Sequence, residues 1–159
     1  MKSVVSDEDC QFLFLTGGRE KQIAQDILTA ICRKLNQPIF VCDSGIIDEK
    51  VLKAIELNLS PISGIRARPR LMIAGKYLEE QVTICALNAL HQGFEVFLLK
   101  DFIVARDAHH AQTFDARLFQ AGAVPTTLRQ SIYEWMSGDV AAERRDWMAQ
   151  MLAEIERQT

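Results

Sequence analysis

The sequence is short of the features that mark specialised protein classes. Its four cysteines, Cys10, Cys32, Cys42 and Cys85, form no CxxC pair and none sits at tight spacing from a histidine. No zinc site is therefore expected, and no cofactor is implied. No apolar run approaches the roughly 20 residues that a membrane helix needs. Basic charge is not in excess: 18 Lys and Arg against 21 Asp and Glu leave a net charge of −3. Nothing electrostatic favours nucleic acid or an anionic membrane surface. The first ten residues, MKSVVSDEDC, are polar and acidic without an apolar core, so no secretory signal is expected and a cytoplasmic location follows. Unpaired thiols fit that reducing compartment. Internal repeats, low-complexity tracts and linkers are also missing, which argues against a second large domain.

What is present is an ordinary core. The chain has 159 residues, 48% of them apolar and 25% charged, enough for one folded domain. Short apolar runs at 12–16 (FLFLT), 39–42, 71–74 and 94–99 read as strands, and a short fifth strand is expected near 124–126. Between them lie helical patterns at about 20–35, 79–91 and 108–121, with a further pattern on Val51, Leu52, Ile55 and Leu57. Strict alternation of strand and helix predicts a three-layer α/β/α sandwich around a doubly wound parallel sheet of about five strands. The expected order is 2-1-3-4-5, which opens a crevice between the ends of strands one and three. Thr16, Gly17 and Gly18 approach it from one side, and Gly75, Lys76, Tyr77 and Gln81 from the other, with Asp43 at the end of strand two.

The stretch from Gly75 to Val96, GKYLEEQVTICALNALHQGFEV, carries a specific likeness. A strand ends in Gly75; Val82, Cys85-Ala86, Ala89 and Gly93-Phe94 follow at fixed distances. This resembles the central unit of the isochorismatase-like cysteine hydrolases, a family that includes nicotinamidases, carbamoylsarcosine amidases and isochorismatases. Asp101 after the fourth strand, a histidine at 109 or 110, Leu118, Gly122-Ala123 and Thr126-Thr127 extend the likeness. Residues 71–127 carry it well and residues 11–42 loosely. The resemblance implies the fold and its crevice, and it also shows what is missing. The family's catalytic Cys position is held by Gln81, and its catalytic Asp position by Thr16. Segment 43–70 is shorter than the family's and offers no convincing catalytic Lys; Lys50 and Lys53 sit in a helical pattern. An amide cannot act as a thiolate, and a hydroxyl is no effective base near neutral pH.

Other candidates each have a plain reading beside a functional one. Gln81 at a helix start could border a site for a carboxylate or carbonyl ligand, or be a polar residue of the first turn. Cys85, one turn on, reads as a buried spacer rather than a relocated nucleophile. Thr16-Gly17-Gly18-Arg19 lacks both the P-loop ending and G-x-G-x-x-G spacing, so it reads as a tight turn before a phosphate cradle. Arg66, Arg68 and Arg70 read as solvated loop arginines before an acid-binding patch. Asp107, His109, His110 and Asp115 read as a helix-start surface before a metal site.

Residues 1–138 are expected to form the α/β domain, with 139–159 a C-terminal amphipathic helix of the same domain or of an interface. Asp139 is its candidate cap, and Trp147, Met148, Met151, Leu152 and Ile155 form its apolar stripe. That stripe predicts a homo-oligomer or a protein partner, with burial against its own domain as the competing account. The functional expectation is a catalytically inactive relative acting as a ligand-binding or assembly subunit, with a small-molecule ligand in the crevice. The alternative is a small-molecule amide or ester hydrolase with a rearranged catalytic set that uses Asp43.

Overall fold

The computed structural model describes residues 9–16, 23–43, 69–138 and 140–158. The glycine turn from Gly17, the 44–68 segment with Lys50, Lys53, Arg66 and Arg68, and the cap candidate Asp139 lie outside the described residues. In chain order the elements are β1 (Cys10–Thr16), α1 (Ile23–Leu35), β2 (Ile39–Asp43), β3 (Arg70–Lys76), α2 (78–91), β4 (Glu95–Val104), α3 (Ala108–Ala121), β5 (Val124–Thr126), α4 (Leu128–Ser137) and α5 (Ala142–Gln158). Helix α2 opens with a π-helical turn, Leu78–Val82, and continues as α-helix over Thr83–His91.

All five strands are parallel, in the order β2-β1-β3-β4-β5. The expected order is thus observed, and its cause is visible along β1. Successive strand residues point to opposite faces. Phe12 and Phe14 join Met72, Ala74, α1, α4 and α5 in one apolar cluster, whereas Leu13 and Leu15 join Leu71, Ile73, α2 and α3 in the other. Every residue of β1 is buried. A strand covered on both faces reads as a continuous apolar run, which is how parallel sheets differ from half-exposed ones.

Helix ends follow from their termini. Asn36, with φ of 56°, turns the chain out of α1, and Gln37 N donates to Cys32 O at 2.8 Å before Pro38. Asp107 caps α3 by accepting from His109 N at 2.9 Å, and Gly122 at φ 108° ends it. Helix α4 goes beyond the sequence expectation, which passed directly from the short fifth strand to the tail. Its stripe of Leu128, Ile132 and Trp135 spans two turns, and all three side chains are buried. Thr127 caps it through Gln130 N at 3.1 Å, and Asp101 accepts from Leu128 N at 3.1 and 3.2 Å. Strand β4 also runs to Val104, past the expected end at 99. A bulge makes this possible: Ile73 pairs with Leu98 but Gly75 with Ile103, so residues 99–102 lie opposite Ala74 alone.

One expectation needs correction. Arg70 is not a solvated loop residue. It lies in β3, 8% exposed, with Nε on Glu95 at 2.9 Å and a guanidinium nitrogen on Asp9 at 2.8 Å. Those two carboxylates make its burial tolerable and tie the starts of β1, β3 and β4 together. The stripe of α5 is largely covered by its own chain, since Met148, Met151 and Leu152 are buried in the first cluster. Arg144 donates to Leu35 O at 2.7 Å and so joins α5 to the end of α1. Trp147 stays 37% exposed, with Lys34 Nζ 3.9 Å from its ring centroid.

Candidate functional site

The carboxyl edge of the sheet brings most of the expected residues together. Thr16 pairs with Asp43, Leu15 with Gly75, and Lys76 with Val104, so the ends of β2, β1, β3 and β4 lie side by side. Gly17 and the Asp43 side chain lie outside the described residues. Gly75 is there for a steric reason. It has φ of 118°, and a Cβ placed on it would stand 2.0 Å from Leu15 O. Only hydrogen fits against the β1 backbone at that point. The next peptide, Lys76–Tyr77, is cis.

Thr16 is buried, and its hydroxyl donates to Cys42 O at 3.2 Å. That bond spends the hydroxyl proton on the β1–β2 ladder. Gln81 lies in the π-helical turn and folds back on the chain: its Oε1 accepts from Tyr77 N at 3.2 Å. The backbone above it closes through Glu80 N and Val82 N, both donating to Tyr77 O, at 3.1 and 3.2 Å. The amide side chain therefore works as a local cap on the start of α2. Cys85 lies deeper, 1% exposed, and its thiol is pushed up to about 12, chiefly by burial and further by Cys42. A thiol held protonated in apolar surroundings is a packing residue.

A charged clasp stands beside this edge, and sequence reading did not identify it. Arg106 N donates to both carboxylate oxygens of Glu79, at 2.7 and 3.1 Å, while its guanidinium reaches Glu80 at 2.7 and 3.3 Å. The same guanidinium lies 4.1 Å from the ring centroid of Tyr77. Hydrogen bonding to Glu80 is the main cause that raises the Arg106 pKa further. The available signal was the pair Glu79-Glu80 in the first helical turn, where acidic groups offset the helix dipole. Its partner, 26 residues on, is fixed only by the strand pairing of β3 with β4.

The histidine cluster is a helix start, as its plain reading had it. Asp107 is the cap of α3, His110 Nδ1 lies 3.5 Å from it, and Asp115 pairs with Lys100 at 2.5 Å. Among the described residues no three His, Cys, Asp or Glu side chains converge as a metal site. Among them, too, no helix is long and apolar enough to cross a membrane.

The described edge presents a hydroxyl, an amide, an ammonium and an aromatic ring, and its one described thiol on α2 is buried and protonated.

No protein-family model matches the sequence, and no curated protein matches it significantly. Solved structures do match. YcaC from Pseudomonas aeruginosa, determined with hexane-2,5-diol and covalent acrylamide, superposes with a TM-score of 0.69 at 19% identity, covering 87% of this chain and 85% of its own. The YcaC gene product of Escherichia coli, described as an octameric hydrolase of unknown specificity, gives 0.63 at 16% identity over 100% and 99%. MAR1 ribonuclease from Caenorhabditis elegans gives 0.70 at 14% identity over 95% and 93%. An isochorismatase-like hydrolase from Alkaliphilus metalliredigens gives 0.50 at 12% identity over 81% and 98%.

Proposed function

We propose that this chain, which has the isochorismatase-like hydrolase fold, is a catalytically silent relative that serves as a ligand-binding or assembly subunit. The observation that carries the reading is Gln81. It occupies the nucleophile's position and spends its amide oxygen on the Tyr77 N–H. A carboxamide is no nucleophile, and here it is also tied down. Thr16, at the position of the catalytic Asp, gives its hydroxyl proton to Cys42 O and supplies no base. Residues 1–138 and the helix that follows act as one unit in this reading, with a small-molecule ligand at the carboxyl edge. The octameric state of the E. coli neighbour supports a homo-oligomer. The four buried thiols support a reducing, cytoplasmic setting. The ribonuclease activity in MAR1's name is not carried over, because a likeness at 14% identity carries the fold alone.

The test is hydrolysis. Nicotinamide, isochorismate and simple amides are expected to react no faster with the protein than with buffer. Robust turnover that a Cys85→Ser variant loses would overturn this reading. Asp43, whose backbone is paired with Thr16 at the same edge, supports the alternative of a rearranged amide or ester hydrolase. Turnover abolished by Asp43→Asn but kept in Cys85→Ser would establish that alternative.

A further inference from the structure

Of the described helices, α3 is the least covered by its own chain. Among its 14 residues Leu118 alone is buried, with Ala111 and Phe114 partly buried against the same core cluster. Phe119, the next residue, is 68% exposed, the most exposed large apolar side chain described. Periodicity puts it on a second stripe, about 100° round the helix from the inner one. That stripe is Ala108, Gln112, Asp115 and Phe119, at the alternating spacing of four and three residues that forms a seam between two helices. Ala108 and Gln112 are exposed and Asp115 partly so.

We infer that this stripe is a seam for the same stripe of a second copy of the chain, the two α3 helices running antiparallel about a twofold axis. The choice of partner rests on the assembly reading above; the surface and its register do not. Self-complementarity carries the inference, as a twofold contact requires. With the axis between Gln112 and Asp115, the pair forms four layers. In the outer two, Phe119 packs on Ala108 of the partner subunit, so a large side chain enters the space over a small one. In the inner two, Gln112 faces the partner's Asp115, an amide donor against a carboxylate. Both groups have capacity to spare. Gln112 makes no hydrogen bond among the described residues, and Asp115 gives Lys100 only Oδ1, which leaves Oδ2 to accept. A parallel pair would set Phe119 against Phe119 and carboxylate against carboxylate, which is repulsive. Antiparallel helices also oppose their dipoles. Strand addition is disfavoured at the sheet edge that α3 leads into, because Pro125 stands in the middle of β5 without an N–H. The helix is about 21 Å long. One such seam covers less than the about 800 Å² per side of a standard interface, so the expected dissociation constant is about 10–100 µM.

Sedimentation of the full-length protein from about 1 to 500 µM is the first measurement, and a concentration-dependent association is expected across that range. Phe119→Asp should weaken it by about 100-fold or more, with Tm unchanged because the side chain is exposed. Cross-linking then reads the register. Chains carrying Ala108→Cys and chains carrying Phe119→Cys, mixed and mildly oxidised, should form the mixed disulfide, while neither links to itself at a comparable rate. The native thiols, all buried, add little background. Self-linking of Phe119→Cys in preference to the mixed product would overturn the antiparallel seam. An association that persists unchanged in Phe119→Asp would overturn the seam and leave the assembly reading standing. A monomer at every concentration would overturn both. None of these outcomes bears on whether the carboxyl edge is catalytically silent, which hydrolysis tests separately.

Discussion

Single atoms decide several features of this fold. The missing side chain of Gly75 is one, because Leu15 O occupies the place where a Cβ would stand. Backbone cannot yield as a side chain does, so Gly75→Ala must separate β3 from β1 or distort both. We expect a loss of at least about 2 kcal/mol, read as a lower urea midpoint at an unchanged slope. Gln81 makes the opposite case, a side chain whose removal exposes rather than clashes. The native thiols are 0%, 0%, 9% and 1% exposed at Cys10, Cys32, Cys42 and Cys85 and should react slowly with a disulfide reagent in the folded state. In Gln81→Cys one new thiol at the partly exposed helix start should react much faster, yet on the proposed reading hydrolysis should stay at the buffer rate, because Thr16 supplies no base. Rapid labelling together with new turnover would show that a base had been present all along.

Among the elements, α4 depends on a residue from another strand. Asp101, carried outward by the β4 bulge, accepts from Leu128 N with both oxygens. Burial raises its pKa above 3.8, and the Leu128 bond only partly offsets that. In the window above 3.8 the folded protein therefore holds a proton that the unfolded chain has released, and this residue's contribution to stability falls as pH rises. Urea unfolding of the native protein and of Asp101→Asn, followed upward from about pH 4, should show the difference moving in the variant's favour and levelling once the folded carboxyl has ionised. A difference independent of pH would mean the carboxyl titrates alike in both states. Much of the element pattern was legible beforehand, for reasons these residues make plain. Continuous apolar runs such as FLFLT announce strands buried on both faces, and α3 is bracketed by Asp107 and Gly122. Helix α4 was not legible, because ten residues carry too few turns for periodicity and half its cap comes from position 101. Lys100 and Asp101 likewise masked the extension of β4 by interrupting its apolar run. At the site, the strand-end residues Thr16, Gly75 and Lys76 could be read, because each closes an apolar run. The Glu79–Glu80–Arg106 clasp could not, since it exists only once β3 and β4 are paired.

For the whole molecule, the open matter is how far α5 serves the fold and how far an assembly. Met148 is fully buried beneath it, beside Met151 and Leu152. Met148→Ala should therefore cost about 2–5 kcal/mol in unfolding experiments. Sedimentation of the same variant, at concentrations where it stays folded, should match the native protein, because the lost contact is internal. A change of oligomeric state without a loss of stability would place Met148 at a subunit boundary and favour assembly through this helix.

The burial of β1 on both faces also sets a timetable. β1 emerges first during synthesis, but β3, its partner on one side, begins 60 residues after Cys10. At about 5–20 residues per second that interval lasts roughly 3–12 s, during which FLFL has neither its β3 neighbour nor the cover of α2 and α5. For those seconds the nascent chain displays its stickiest segment to the cell. Ribosome-bound chains released before position 70 are thus expected to be captured by chaperones or to aggregate, and the demand should fall once β3 has cleared the exit tunnel.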